Sequence, residues 1–106
     1  MIRADYRREG DIHRLTLAGH ADYAEHGADI VCSAVSATVY NLLGWLENHG
    51  DELEFIQTDV ESGGVEITCE GGSDTAAVFE LTVTGLEQIA NKYPENVTIH
   101  IVGLAD

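Results

Sequence analysis

Cysteine and histidine, two residue types that together form nucleophilic pairs, lie close together in one polar stretch of the sequence. His20 and His26 precede Cys32 in a segment that starts at Gly19. A thiolate attacks carbonyl carbons, and a neighbouring histidine activates it by accepting the thiol proton. The stretch therefore predicts nucleophilic catalysis by Cys32. The alternative is that each residue has only a structural role, with Gly19 serving turn geometry.

Asp29 gives Cys32 a defined place at the start of a predicted helix. Aspartate is a favoured N-cap residue, and with Asp29 in that position Cys32 lies in the first helical turn. Backbone N–H groups there can stabilise a thiolate or an oxyanion, but a helix terminus contributes only about 0.3–1 kcal/mol, less than one pKa unit. A histidine partner is therefore needed. His20 is favoured over His26 because it ends a predicted strand.

Metal and phosphate binding are the other chemistries that the polar segments allow. His20, His26 and Cys32 offer a zinc ligand set, but the chain has no Cys-x-x-Cys or His-x-x-x-His spacing. We therefore predict neither a metal nor a cofactor. The run Gly71-Gly72-Ser73 is similar to a phosphate-binding loop, but it lacks the lysine and has acidic neighbours. We predict a turn there, with Ser73 as the N-cap of a second helix.

The elements that must position these residues follow from hydrophobic periodicity. Apolar residues alternate with polar ones in the predicted strands and recur at helical spacing in two longer segments. Residues 1–106 form one predicted domain of the order β-β-α-β-β-α-β, which indicates an α+β fold. The predicted elements are a strand around Ile2, Ala4 and Tyr6, a strand over Ile12–Ala18, a helix from near Asp29 to a stop at Gly50, a hairpin of Leu53–Glu61 and Val65–Glu70, a helix that ends at Pro94, and a strand over Val97–Val102.

Several residues outside the polar stretch carry structural predictions. Cys69 shares a strand face with apolar neighbours, so we predict a buried, unreactive thiol. Gly44 inside the first helix costs about 1 kcal/mol relative to alanine, which indicates close packing, with another chain as one option. His13, His49 and His100 have no partner pattern and are predicted to be surface or sheet residues.

Charge excludes several classes of partner. The chain has 19 acidic and 5 basic residues and a formal net charge of −14, which argues against nucleic-acid binding and against an anionic membrane surface. The apolar stretch from Ile30 to Leu46 is interrupted by polar residues and is predicted to be too short and too polar to span a bilayer. The N-terminus lacks the apolar region of a signal peptide, so a cytoplasmic location is predicted.

The spacing of two motifs resembles that of a known family. Gly19-His20-Ala21 followed by Asp29-Ile30-Val31-Cys32-Ser33-Ala34-Val35-Ser36 is similar to the motif pair of the ribosomal-processing cysteine proteases, the Prp family. The resemblance covers nearly the whole chain. It implies an α+β fold with two helices and a mostly antiparallel sheet, a homodimer, and a Cys–His dyad that removes the N-terminal extension of a ribosomal large-subunit protein.

Carried onto this sequence, the resemblance implies that Cys32 is the nucleophile and His20 the general base. Asp29 then orients His20, caps the helix or contacts substrate, and Ser36 supports the site or its packing. Gly19 and Ser36 are also candidates for an orienting or substrate-binding role. Asp22 and Asp29 both stay open as a third catalytic residue. A basic ribosomal protein is electrostatically suited to a chain of net charge −14. The alternative function is a non-catalytic ribosome-assembly module that docks a basic protein.

Overall fold

The computed structural model describes residues 1–25, 29–49 and 64–103 in full and the backbone of 55–61. The predictions that involve His26 and Gly50, and the predicted start of a strand at Leu53, lie outside the described residues. The elements follow the predicted order and begin and end close to the predicted residues. They are β1 (Ile2–Glu9), β2 (Ile12–Ala18), α1 (Ile30–Asn48), β3 (Phe55–Glu61), β4 (Gly64–Glu70), α2 (Ser73–Lys92) and β5 (Val97–Val102).

The strands form one five-stranded sheet in the order β3-β4-β2-β1-β5. Three neighbouring pairs are antiparallel, and β1 pairs with β5 in parallel, with Ile2 opposite Val97. The predicted α+β fold with a mostly antiparallel sheet is therefore confirmed. A parallel pair requires a long connection between its strands, and here residues 10–96 lie between β1 and β5, with α2 leading directly into β5.

Both helices pack on one face of the sheet, and the core lies between them. Alternate residues of β1 and β2 are buried, while the intervening ones are exposed or half-buried. Cys69 is completely buried within this core, as predicted, and burial raises the pKa of its thiol. The helix residues buried here are Val31, Val35, Val39, Leu42 and Leu46 of α1 and Thr75, Phe79, Thr82, Val83 and Leu86 of α2.

The close approach between the two helices occurs at Gly85 of α2. A Cβ atom at this position would lie 3.3 Å from Cγ2 of Thr38 on α1. A Cβ atom at Gly44 would meet no atom within 4 Å. Packing within the described part of the chain therefore does not explain Gly44, and a contact with another chain stays a prediction.

Helix α1 meets the length and composition criteria for crossing a membrane, with 19 residues and a mean hydropathy of 1.3. The prediction that this stretch is too short and too polar is wrong on those criteria, because its serine, threonine and asparagine residues lower the hydropathy only modestly. Core helices of globular domains pass the same test, and α1 buries Val31, Leu42 and Leu46 against the sheet and α2.

One local prediction is wrong, and another gains detail. Gly72, not Ser73, is the N-cap of α2, and no side-chain hydrogen bond caps this helix; Ser73 is its first residue. His13 lies on the sheet but is completely buried, because it shares the inward face of β2 with Leu15 and Leu17. Its Nδ1 lies 2.7 Å from the Tyr6 hydroxyl, and its ring stacks on Phe79 at 4.7 Å.

Candidate functional site

An open cavity of about 450 Å³ lies where β2 ends and α1 begins. It brings together the histidine and the cysteine that the sequence singled out, with two aspartates and two serines around them. The lining residues are His20, Asp22, Ala24, Asp29, Cys32, Ser33 and Ser36.

Helix α1 places Cys32 at the cavity. The helix begins at Ile30, so Cys32 is in its first turn, as predicted, and the residue is partly exposed. Its backbone is fixed because its amide donates a 2.9 Å hydrogen bond to Oδ1 of Asp29. The thiol therefore lies at the positive end of the helix dipole, on a backbone that has little freedom to move.

Asp29 is the N-cap of α1, as predicted, and it also clamps the preceding loop. Its second carboxylate oxygen, Oδ2, accepts hydrogen bonds from the amides of Tyr23 at 3.0 Å and Ala24 at 3.4 Å. The hydrogen bond from the Cys32 amide, followed by those from the loop amides, holds the pKa of Asp29 below its ordinary value despite burial. Asp29 thus remains ionised at neutral pH and joins the loop to the helix.

The N-cap hydrogen bonds bear on the expectation that backbone amides near Cys32 can stabilise an oxyanion. The Cys32 amide is taken by the Asp29 side chain, and the Ser33 amide donates to the Asp29 carbonyl at 3.1 Å. The hydroxyl of Ser33 also donates to that carbonyl at 3.1 Å. The two amides and the Ser33 hydroxyl therefore already donate hydrogen bonds within the protein. An oxyanion needs a different donor or a rearrangement of the cap.

His20 lies two residues beyond the end of β2, and its ring is exposed at the cavity. No hydrogen bond joins it to Cys32 within the described ranges, so its place depends on the backbone that carries it. Gly19 has a φ of 94°, and a Cβ atom there would collide with the Met1 carbonyl oxygen. Gly19 is thus required for backbone geometry, the structural role considered for it.

The loop after His20 is fixed by contacts with residues far away in sequence. Ala21 is 1% exposed, and its carbonyl accepts a 2.9 Å hydrogen bond from Nδ2 of Asn96. The Tyr23 ring meets Tyr93 edge-on, with centroids 5.3 Å apart. Sequence reasoning missed Asn96 and Tyr93, since nothing in their local pattern indicates contact with a loop near the other end of the chain.

The two aspartates of the cavity differ in their partners. Asp22 is exposed, has a φ of 56°, and forms a 3.2 Å ion pair with the α-amino group of Met1. The Asp29 carboxylate accepts from backbone amides, and no hydrogen bond or ion pair joins it to His20 among the described residues. In this conformation Asp29 therefore caps α1 and holds the loop. Among the described residues, neither aspartate forms a hydrogen bond or ion pair with His20.

The lining residues not yet discussed, Ala24 and Ser36, carry no charge. Ser36 is exposed and lies one helical turn after Cys32, on the same face of α1. Over the ranges 1–25, 29–49 and 64–103, no group of three His, Cys, Asp or Glu residues is arranged to hold a metal ion. The zinc alternative also involves His26, which lies outside those ranges.

Comparison with known proteins gives a consistent result. Residues 1–98 match the family model described as cysteine protease Prp. The ribosomal processing cysteine protease Prp of Mycoplasma genitalium is 31% identical over 86 residues, which is 81% of this chain and 85% of that protein.

Solved structures agree with that match. The S. aureus ribosomal processing protease Prp with a covalently linked product peptide superposes with a TM-score of 0.83 and 25% identity, covering 95% of this chain and 99% of that one. SMU.848 from Streptococcus mutans superposes with a TM-score of 0.72 and 32% identity, covering 96% and 94%.

Proposed function

Because this chain belongs to the cysteine protease Prp family, we propose that it removes the N-terminal extension of a ribosomal large-subunit protein with Cys32 as nucleophile and His20 as general base. That the chain is a cysteine protease follows from the family and disfavours the alternative of a non-catalytic docking module. The observation that carries the proposed roles is the shared cavity at the start of α1, which both side chains line.

The proposed chemistry is hydrolysis of one peptide bond through an acyl-thioester. His20 accepts the Cys32 thiol proton, and the thiolate attacks the substrate carbonyl carbon to give a tetrahedral oxyanion. Collapse of this species breaks the C–N bond, and His20 returns the proton to the leaving amine. Water, deprotonated by His20, then attacks the thioester carbonyl carbon. The C–S bond breaks, the acyl group leaves as a carboxylic acid that ionises in water, and His20 returns its proton to the Cys32 thiolate. The covalently linked product peptide of the S. aureus relative supports a covalent intermediate.

Ser36 is the proposed hydrogen-bond donor to the substrate. The cap engages the amides of Cys32 and Ser33, whereas the Ser36 hydroxyl is exposed in the cavity on the Cys32 face of the helix. A donor at this position can reach the carbonyl oxygen of a peptide bound over Cys32. Loss of one oxyanion donor costs about 10²–10³ in kcat in well-studied hydrolases.

The proposed substrate is a basic ribosomal protein in the cytoplasm. The relatives are named as ribosomal processing proteases, and the net charge of −14 attracts a basic protein. Asp22 places an exposed carboxylate at the rim of the cavity. Cleavage close to the N-terminus of a basic chain is therefore compatible with the charge of the site.

The test uses a ribosomal large-subunit protein that carries its native N-terminal extension, with intact mass as the readout. Wild-type protein is expected to produce one cut, and Cys32→Ala and His20→Ala are expected to abolish it. His100→Ala is the matched control, since His100 is exposed on β5 away from the cavity. Cleavage at the wild-type rate by either cavity variant would overturn the assignment.

A second copy of this chain is the proposed partner in a homodimer, with the exposed face of α1 as the contact. Helix α1 has no charged residue from Ile30 to Leu46. Ile30 and Tyr40 are 58% and 63% exposed. Two copies of charge −14 repel each other least where each presents an uncharged face. Gly44, which packing within the described chain does not explain, lies on this helix.

The dimer is tested by sedimentation equilibrium. Tyr40→Glu introduces a charge on the proposed contact and is expected to shift the protein to monomer. Leu81→Glu is the matched control because Leu81 is an exposed apolar residue of α2. A wild-type monomer at micromolar concentration, or equal behaviour of the two variants, would contradict the proposed interface.

A further inference from the structure

The turn between α2 and β5 is built as a rigid support. The Tyr93 carbonyl accepts hydrogen bonds from the amides of Asn96 at 2.9 Å and Val97 at 3.0 Å, which closes the turn around Pro94. The Asn96 carbonyl in turn accepts from the Ile2 amide at 2.8 Å, where β1 starts. The backbone of Asn96 is therefore held on both sides, and its side chain projects from a fixed base.

This support holds the residue that follows His20. The Asn96 side-chain amide donates to the Ala21 carbonyl at 2.9 Å, and Ala21 is almost fully buried. A buried carbonyl that loses its donor is costly, so this hydrogen bond selects one path for the loop. The contact between Tyr23 and Tyr93 joins the same loop to the same turn a second time.

His20 itself contributes little to its own placement. Its ring is exposed, and no hydrogen bond of the ring is found within the described parts of the chain. The position of the ring is therefore set by the backbone of the neighbouring residues. Gly19 fixes this backbone on one side through its positive φ, and Ala21 fixes it on the other through Asn96.

We propose that Asn96 is a positioning residue that holds His20 within reach of Cys32 through its hydrogen bond to the Ala21 carbonyl. The inference rests on the proposed Cys32–His20 dyad. Asn96 does not line the cavity, so it acts on the reaction only through the loop. Misplacement of a catalytic group by about 1 Å is enough to lower a rate by about 10²-fold.

The test compares Asn96→Asp and Asn96→Ser with Asn91→Asp. Neither Asn96 substitution retains the amide donor, whereas Asn91 is exposed on α2 and supplies the same change in charge elsewhere. Two readouts are the steady-state constants for the extended ribosomal protein and the pH dependence of iodoacetamide alkylation in native protein. Cys69 is completely buried, so alkylation reports on Cys32.

Both Asn96 variants are expected to lower kcat by about 10- to 100-fold with little change in KM. The midpoint of alkylation should also move to higher pH, because a displaced imidazolium stabilises the thiolate less. Asn91→Asp is expected to behave as wild type in both assays. Asn96 variants that fold and keep the wild-type kcat and alkylation midpoint would overturn the inference.

A double-variant cycle with His20→Ala separates this inference from the proposed function. If Asn96 acts through His20, Asn96→Asp should have no further effect on the alkylation midpoint, the readout that does not need cleavage, once His20 is alanine. Additive effects would overturn the positioning role. If His20→Ala alone leaves both readouts unchanged, the dyad itself is wrong. If His20→Ala changes them and Asn96→Ser does not, only the positioning inference fails.

Discussion

The Asp29 carboxylate and the Cys32 amide are joined by a 2.9 Å hydrogen bond, while the other oxygen of the same carboxylate accepts from the amides of Tyr23 and Ala24. One side chain thus fixes both the first turn of α1 and the loop that follows His20. The two halves of the proposed dyad are therefore held relative to each other by a carboxylate that hydrogen-bonds to backbone amides.

The substitution Asp29→Asn should separate the two functions of this carboxylate, which are to cap α1 and to hold the loop after His20. The amide oxygen of Asp29→Asn can still accept from Cys32 and cap the helix, but its NH₂ group cannot accept from Tyr23 or Ala24. We expect a Tm close to that of wild type and a loss of about tenfold or more in kcat/KM. Asp29→Ala removes the cap as well and should lower Tm by about 5 °C.

The control for this prediction is Asp74→Asn, which removes an exposed carboxylate from the first turn of α2. It is expected to keep both Tm and kcat/KM near the wild-type values. If Asp29→Asn were as active as wild type, the hydrogen bonds to Tyr23 and Ala24 would not be needed to form the site.

The buried His13 should make the stability of the fold depend on pH. Burial, with the charge of Arg8 as a smaller contribution, lowers the pKa of His13 below its usual value near 6.5. Its Nε2 has no hydrogen-bond partner among the residues that the structure describes. As pH falls, the unfolded state takes up the proton before the folded state does. The contribution of neutral His13 to the free energy of unfolding is therefore complete above about pH 6.5 and decreases below it. The free energy of unfolding should decrease from pH 7 to pH 5 by up to about 1.4 kcal/mol per pH unit.

Urea unfolding at several pH values checks this prediction. His13→Gln keeps an acceptor for the Tyr6 hydroxyl but does not titrate, so its unfolding free energy should be flatter between pH 7 and pH 5. His20→Gln, at an exposed position whose ring has no hydrogen bond among the described residues, should retain the wild-type slope. A wild-type slope in His13→Gln would show that other groups cause the pH dependence.

Periodic patterns predicted the elements well, and local motifs predicted the helix cap but not the contacts that hold the loop after His20. The alternation in Ile12–Ala18 and Val97–Val102 gave strand bounds that the structure matches. Asp29 could be predicted as a cap because capping depends on residues a few positions apart. The hydrogen bond from Asn96 to Ala21 could not, since it depends on how β5 and the loop meet in three dimensions.

The effect of Gly85→Ala on the free energy of unfolding should depend on Thr38, the residue opposite it on α1. Alanine gains about 1 kcal/mol of helix propensity over glycine, but its Cβ atom would lie 3.3 Å from Cγ2 of Thr38. The hydroxyl of Thr38 donates to the Ala34 carbonyl at 2.8 Å, which restricts the rotation that would relieve the contact. Gly85→Ala alone should therefore stabilise by less than the propensity gain.

Removal of the opposing methyl group tests this explanation. Thr38→Ser keeps the hydroxyl and deletes Cγ2, so Gly85→Ala in the Thr38→Ser background should show the full gain of about 1 kcal/mol in the free energy of unfolding. The two effects would then be non-additive by most of that amount. Equal gains from Gly85→Ala in both backgrounds would mean that the helices adjust without cost.

Salt should weaken cleavage of a basic protein more than cleavage of a neutral peptide. A net charge of −14 creates an attractive potential for a cationic substrate, and its range shrinks from about 14 Å at 0.05 M salt to about 4 Å at 0.5 M. We expect kcat/KM for the extended ribosomal protein to fall about tenfold over this range, mainly through slower association. A short neutral peptide with the same cleavage junction reacts at the same cavity but lacks the distant charges, so its kcat/KM should change much less. Equal salt dependence for both substrates would locate the effect in the cavity itself, at Asp22 or Asp29, rather than in the charge of the whole surface.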